Sequence, residues 1–184
     1  FREQERVLLG VAESAKERVR VLEYGKSVEG RPLRLVIVSS PENLAKLDKI
    51  QANNLRLADP RKLTTAAETE ALLASAPAIT WINHCIHGDE TASFEAFMGT
   101  FYTLAASEAP QIKEALRNSV VILNPVFNPD GHERCTVYYN SIGLGLPDGS
   151  AFERSQPWVV SGRFNHYRFD MNRDKMVQSQ IEVQ

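Results

Sequence analysis

The stretch Trp81-Ile82-Asn83-His84-Cys85-Ile86-His87-Gly88-Asp89-Glu90-Thr91-Ala92 constrains this chain more than any other. An apolar run ends in a histidine, a glycine turn and an acid, and a helical pattern of Phe94, Phe97, Phe101 and Leu104 follows. This is the pattern of a buried strand delivering ligands to its own mouth, and open α/β sheets bind ligands outside the carboxyl ends of their strands. His87 and Glu90, three residues apart, have the donor types and spacing to close on one metal ion. His-x-x-Glu alone is a weak pattern that arises by chance. Its position at a strand end gives it weight. His84, still within the run, reads as a core histidine or as support for its neighbour.

The chain has 184 residues, enough for one domain, and residues 1–184 are expected to form a single one. A formal charge of -2 with 24% charged residues gives no reason to expect a nucleic-acid partner. No window approaches the roughly 20 apolar residues that a membrane-spanning helix needs. Cys85 and Cys135 cannot build a disulfide framework, and both are expected to be unpaired buried thiols.

From about Glu3 to Arg20, Val7, Leu8, Val11, Ala15 and Val19 recur at helical spacing and predict an amphipathic helix. Val21 to Tyr24 and Leu33 to Val38 read as a hairpin joined by a glycine-bracketed turn, the second strand being internal. Helical segments are predicted from Pro41 to the Asp59-Pro60 step and from Thr65 to Ala76, ahead of the strand Ala78 to Cys85. Helices from about Glu90 to Ala106 and from Pro110 to Arg117 then lead to a buried strand, Ser119 to Asn124. Strand, helix and strand imply a right-handed crossover. Asn128-Pro129-Asp130-Gly131 reads as a strong turn, and the chain from there to Gly162 as a long irregular loop.

The segment from Gly162 to Asp174 holds three arginines, two asparagines and two aspartates in thirteen residues. It is the second place where chemistry can reside. Asp170 is a candidate to orient His87, because a ligating histidine usually gives its other ring N–H to a carboxylate or carbonyl. The neighbouring arginines then suit the pocket to a carboxylate or oxyanion. A solvated surface loop of weak ion pairs explains the same composition equally well.

Together, His87-Gly88-Asp89-Glu90, Asn128-Pro129-Asp130-Gly131, and Gly162-Arg163-x-Asn165 with Asp170-x-Asn172-Arg173 resemble the zinc metallocarboxypeptidases, the carboxypeptidase A-like family. Gly25-x-Ser27-x-Glu29-Gly30-Arg31 matches a hairpin near the start of that family's catalytic domain. The resemblance runs from about residue 25 to 174. It implies a three-layer α/β/α fold with a mixed, mostly parallel sheet, incomplete relative to the family's domain. By resemblance, His87 and Glu90 are the first two ligands of Zn2+, and Asp170 holds the histidine. Arg163 polarises the scissile carbonyl, while Asn172 and Arg173 grip the substrate's C-terminal carboxylate. The Asn-Pro-Asp-Gly motif has a structural role.

The family's third ligand, a histidine, and its general-base glutamate are expected well beyond Arg173, and neither His132 nor His166 sits at the third-ligand position. The chain is therefore expected to be the N-terminal part of a longer catalytic domain, inactive alone and a weak binder of zinc. Exposed sheet edges would favour self-association, with oligomer contacts or disorder after about Gly143. The activity implied is release of C-terminal residues from peptides and proteins, in an exported protein. Two alternatives stand beside it: a non-catalytic module that binds carboxylate-terminated peptides, and a zinc amidohydrolase or deacylase on the same scaffold.

Overall fold

A computed structural model gives the fold over residues 1–63, 65–143, 145, 148–150 and 157–184. Four strands form one sheet in the order β1-β2-β4-β3. β1 (Val19–Lys26) and β2 (Pro32–Val38) are the predicted hairpin, and β2 lies internally, antiparallel to both β1 and β4. β3 (Ala78–Asn83) and β4 (Ser119–Asn124) run parallel, in register from Ala78 opposite Ser119 to Asn83 opposite Asn124. The sheet is mixed, as expected, but among the described strands only one of its three pairings is parallel.

Helices cover both faces. On one side α1 (Arg2–Ser14) and α5 (Thr91–Ala106) bring Leu8, Phe97 and Phe101 onto Val36, Val38, Val121 and Leu123. Phe97 and Phe101, one helical turn apart and stacked at 5.6 Å, are fully buried, each contributing about 1.5–3 kcal/mol by leaving water. Leu116 of α6 (Pro110–Asn118) joins this cluster. On the other side Leu44 of α2 (Pro41–Leu44) meets Ile37 and Val120, flanked by Leu47 and Ile50 of α3 (Leu47–Leu57). Residues of β2 and β4 alternate between the two clusters because strand side chains point to opposite faces in turn. α4 (Ala66–Ser75), capped by the Thr65 side chain on the Glu68 amide, precedes β3.

Three expectations change. The first helix stops at Ser14, and Val19 belongs to β1, where it pairs with Val38. Its helical spacing from Ala15 was incidental, since one β-branched residue serves either pattern. β3 is an edge strand among the described residues, with Ile79 and Trp81 43% and 55% exposed, so the apolar run there is not buried. The largest change concerns Asn128-Pro129-Asp130-Gly131, which opens the helix α7 (Pro129–Ile142). Asn128 caps it by accepting from the Gly131 amide at 2.9 Å, and Pro129 sits in the first turn, where a missing N–H costs nothing. The same residues that make a turn also make a helix start. Of the predicted loop beyond Gly143, residues 144, 146–147 and 151–156 lie outside the described residues. Both cysteines are buried, and among the described residues neither is in a disulfide.

Candidate metal centre

β3 ends at Asn83, and the chain crosses to the start of α5 through a tight segment. His84 leaves the strand, buried, with its amide on the Asn124 carbonyl at 3.0 Å and its Nδ1 3.1 Å from the same oxygen. This is the core role expected for it. Cys85, at φ 51°, occupies the left-handed region that branched or bulky side chains avoid. Ser93 of α5 accepts from its amide at 2.9 Å, and its thiol donates to the His87 carbonyl at 3.2 Å. Burial pushes that thiol up to about 12, so it stays protonated and inert at neutral pH.

Past this bend, His87 and Glu90 close a small ring of their own. The His87 amide donates to Glu90 Oε2 at 2.9 Å, and His87 Nδ1 faces Glu90 Oε1 at 2.9 Å. Glu90 stands at the N-cap position of α5, so the helix dipole favours its negative charge. Partial burial works against that charge, but the bonds from His87 outweigh it and hold the carboxyl below its ordinary range. The other ring nitrogen, Nε2, lies 3.1 Å from Asp170 Oδ1. That oxygen also accepts the Asn172 amide at 3.0 Å, and Oδ2 accepts from Arg163 Nη2 at 2.6 Å. Burial opposes the Asp170 charge as well, and the bonds to His87 and Arg163 again prevail and lower its pKa. Asp170 is placed by the short turn Met171–Arg173, whose Met171 side chain is fully buried.

The four residues His87, Glu90, Asp170 and Arg163, drawn from two sequence motifs, thus form one continuous chain of contacts. His87 and Asp170 are recessed, at 10% and 15% side-chain exposure, while Glu90 and Arg163 open to solvent at 42% and 41%. Asn172 joins through its backbone amide only. Arg173 stands apart and exposed, its guanidinium reaching the Asn172 carbonyl at 3.4 Å.

The donor set suits zinc. Asp170 fixes the ring through Nε2, which leaves Nδ1 and the Glu90 carboxylate facing each other. Two donors about 2.0–2.2 Å from one tetrahedral ion stand roughly 3.4 Å apart, so a modest opening of the 2.9 Å contact seats a cation between them. The pair offers two donors; among the described residues no group of three or more His, Cys, Asp or Glu is placed to hold a metal. His132 is occupied elsewhere, stacked on Phe94 at 4.0 Å with Nδ1 2.9 Å from the Gly88 carbonyl. His166 faces Glu29 at 3.0 Å.

Three glycines, one from each motif, bring these segments together. A Cβ on Gly88 would lie 2.1 Å from the His132 nitrogen and 2.6 Å from the Gly162 oxygen, and one on Gly131 would lie 2.3 Å from that same oxygen. Backbone packs against backbone here, which no side chain permits. The Gly88 amide donates to the Gly162 carbonyl at 2.8 Å, so the His87–Glu90 loop and the arginine segment are directly bonded. Next to this junction Asp130, fully buried, accepts the Ser27 hydroxyl at 2.6 Å, the Glu29 amide at 3.2 Å and Arg31 Nη1 at 2.7 Å. The hairpin motif and the Asn-Pro-Asp-Gly motif, read separately in the sequence, are one network.

A family model described as zinc carboxypeptidase matches residues 5–177. The chain belongs to the zinc carboxypeptidase family. It is 31% identical over 163 residues to human carboxypeptidase D (Homo sapiens), covering 84% of this chain and 10% of that protein. The Mus musculus carboxypeptidase D is 32% identical over 160 residues, with the same coverage of both chains. Among solved structures, a metallo-carboxypeptidase from Burkholderia cenocepacia shares the fold at a TM-score of 0.59 and 17% identity, covering 98% of this chain and 34% of that one. Carboxypeptidase A from Helicoverpa armigera matches at 0.51 and 19% identity, over 74% and 26%. The zinc carboxypeptidase chain therefore spans about a tenth of the length of these curated relatives and between a quarter and a third of these solved structures.

Proposed function

We propose that this chain carries part of the active site of a zinc-dependent carboxypeptidase that releases C-terminal residues from peptides. The observation that carries the reading is the His87 ring, oriented by Asp170 through one nitrogen and facing Glu90 with the other. In this reading His87 Nδ1 and Glu90 hold zinc, and a third ligand and the general base come from outside the described residues. Bound zinc supplies a water of lowered pKa and a Lewis acid for the scissile carbonyl.

The chain's own residues do the rest. Asp170 keeps the His87 ring in the tautomer that leaves Nδ1 free, a support whose loss commonly lowers metal affinity or activity about 10–100-fold. Arg163 spends Nη2 on Asp170 and keeps its remaining N–H groups for the oxyanion that forms on the substrate carbonyl. Asn172 and the exposed guanidinium of Arg173 receive the substrate's terminal carboxylate, for which a planar fork of donors is well suited.

Two measurements test this. Zinc content by elemental analysis, and release of the terminal residue from a peptide, should both be positive in a form of the protein that extends to the relatives' length, and His87→Ala should abolish both. Absence of stoichiometric zinc there sinks the enzyme reading. A second reading, a non-catalytic carboxylate-binding module, rests on the exposed Arg173, and its signature is tighter binding of a free-acid peptide than of the amidated one without turnover.

A further inference from the structure

The segment that presents Arg163 has no backbone freedom left, and one residue with no part in the metal site is responsible for most of this. Five consecutive carbonyls, from Ser161 to Asn165, each accept a hydrogen bond. Arg134 of α7 donates to three of them: Nε and Nη2 reach the Ser161 oxygen at 3.2 and 2.9 Å, and Nη2 reaches those of Phe164 at 2.7 Å and Asn165 at 3.5 Å. Asn128 Nδ2 takes the two between, Gly162 and Arg163, both at 3.2 Å. Among the described residues every hydrogen bond of Arg134 goes to a backbone carbonyl, and no carboxylate pairs with it. A half-buried arginine spent in this way is holding chain in place, because its rigid fork fixes several acceptors relative to one another.

The geometry points to Arg134 as a positioning residue that sets where the Arg163 guanidinium stands beside Asp170 and His87. The effect travels through the backbone. With the carbonyls on either side of Arg163 fixed to α7, and α7 fixed at its start by the Gly88, Gly131 and Gly162 junction, the Arg163 side chain leaves from a set point. Lysine keeps three donors but on one compact, mobile ammonium, without the planar fork that lets Nε and Nη2 of Arg134 fix separate carbonyls relative to one another. The consequence for catalysis rests on the proposed role of Arg163.

The test uses the 184-residue chain first. In Arg134→Ala, amide hydrogen exchange should rise at least about tenfold for Arg163 and Phe169, with β2 and β4 unchanged, since such opening is local. Millimolar guanidinium should restore protection, and Arg134→Lys should not. Unchanged exchange at residues 163–169, or a uniform rise that includes β2 and β4, overturns the inference. In a catalytically competent form, kcat should fall about 10–100-fold with KM within about threefold and zinc content unaltered, as misplacement of a catalytic group predicts. A normal kcat with a loosened segment overturns the positioning role. An unsubstituted protein without activity counts against the enzyme reading, and exchange then decides on Arg134 alone.

Discussion

Asp130 and Glu182 are both buried carboxyl groups, at 0% and 2% exposure, and they have opposite surroundings. Asp130 accepts from Ser27, Glu29 and Arg31, so its charge is matched. Neither carboxyl oxygen of Glu182 has a hydrogen-bond partner of good geometry, and Asn165 beside it gives its amide to Gln180 at 2.8 Å instead. Burial pushes the Glu182 pKa up, and the nearby Asp130 and Asp174 charges add to it. A buried charge with partners ties elements together; one without them weakens the fold in which it sits.

Asp130→Ala should break the comparison most severely. It strands the Ser27 hydroxyl and the Glu29 amide, leaves Arg31 with Glu29 Oε2 alone, and should cost about 3–5 kcal/mol in denaturant unfolding. Loss under about 1 kcal/mol would show that the network contributes little. Gly88→Ala comes next, at about 3 kcal/mol, the upper range for overpacking, because the new methyl meets backbone that cannot rotate away. Glu182→Met should act the other way and stabilise the chain by about 1–3 kcal/mol at pH 7, by removing two unpaired oxygens.

A pH titration sharpens the same contrast. Because the folded pKa of Glu182 is raised, the native chain keeps its proton after the unfolded chain has released it. The Glu182 contribution to stability therefore falls as pH rises from about 4.5 towards the folded value, and Glu182→Gln should flatten that slope. An identical slope in the variant removes Glu182 as its source. The smallest effect is expected from Arg173→Ala, whose exposed side chain should leave the thermal midpoint within about 2 °C.

These pairings were unevenly visible in the sequence. His87, Glu90, Asp170 and Arg163 were singled out by the strand-end placement of His87 and Glu90 and by motifs that resemble the family's, and the structure brings the four together. β2 and β4 were legible as internal strands from their β-branched apolar runs. α7 was not, because Asn, Pro, Asp and Gly serve a turn and a helix start equally, and the choice is made by the buried partners of Asp130, some 100 residues away. The exposure of β3 was misread since an apolar run carries no sign of how many strands flank it. Arg134 gave no signal at all: its acceptors are backbone carbonyls 27 to 31 residues further on, and carbonyls have no letter in a sequence.

The glycine junction has a consequence for anyone redesigning this protein. A Cβ on Gly88 would meet Gly131 and Gly162, one on Gly131 would meet Gly162 and Phe164, and one on Gly162 would meet Asp89 and Cys135, so a substitution at any one collides with another of the three segments. The loop that carries His87 and Glu90 cannot be transplanted onto another scaffold as a twelve-residue cassette. It must travel with the start of α7 and the arginine segment, three pieces of chain that behave as one indivisible part.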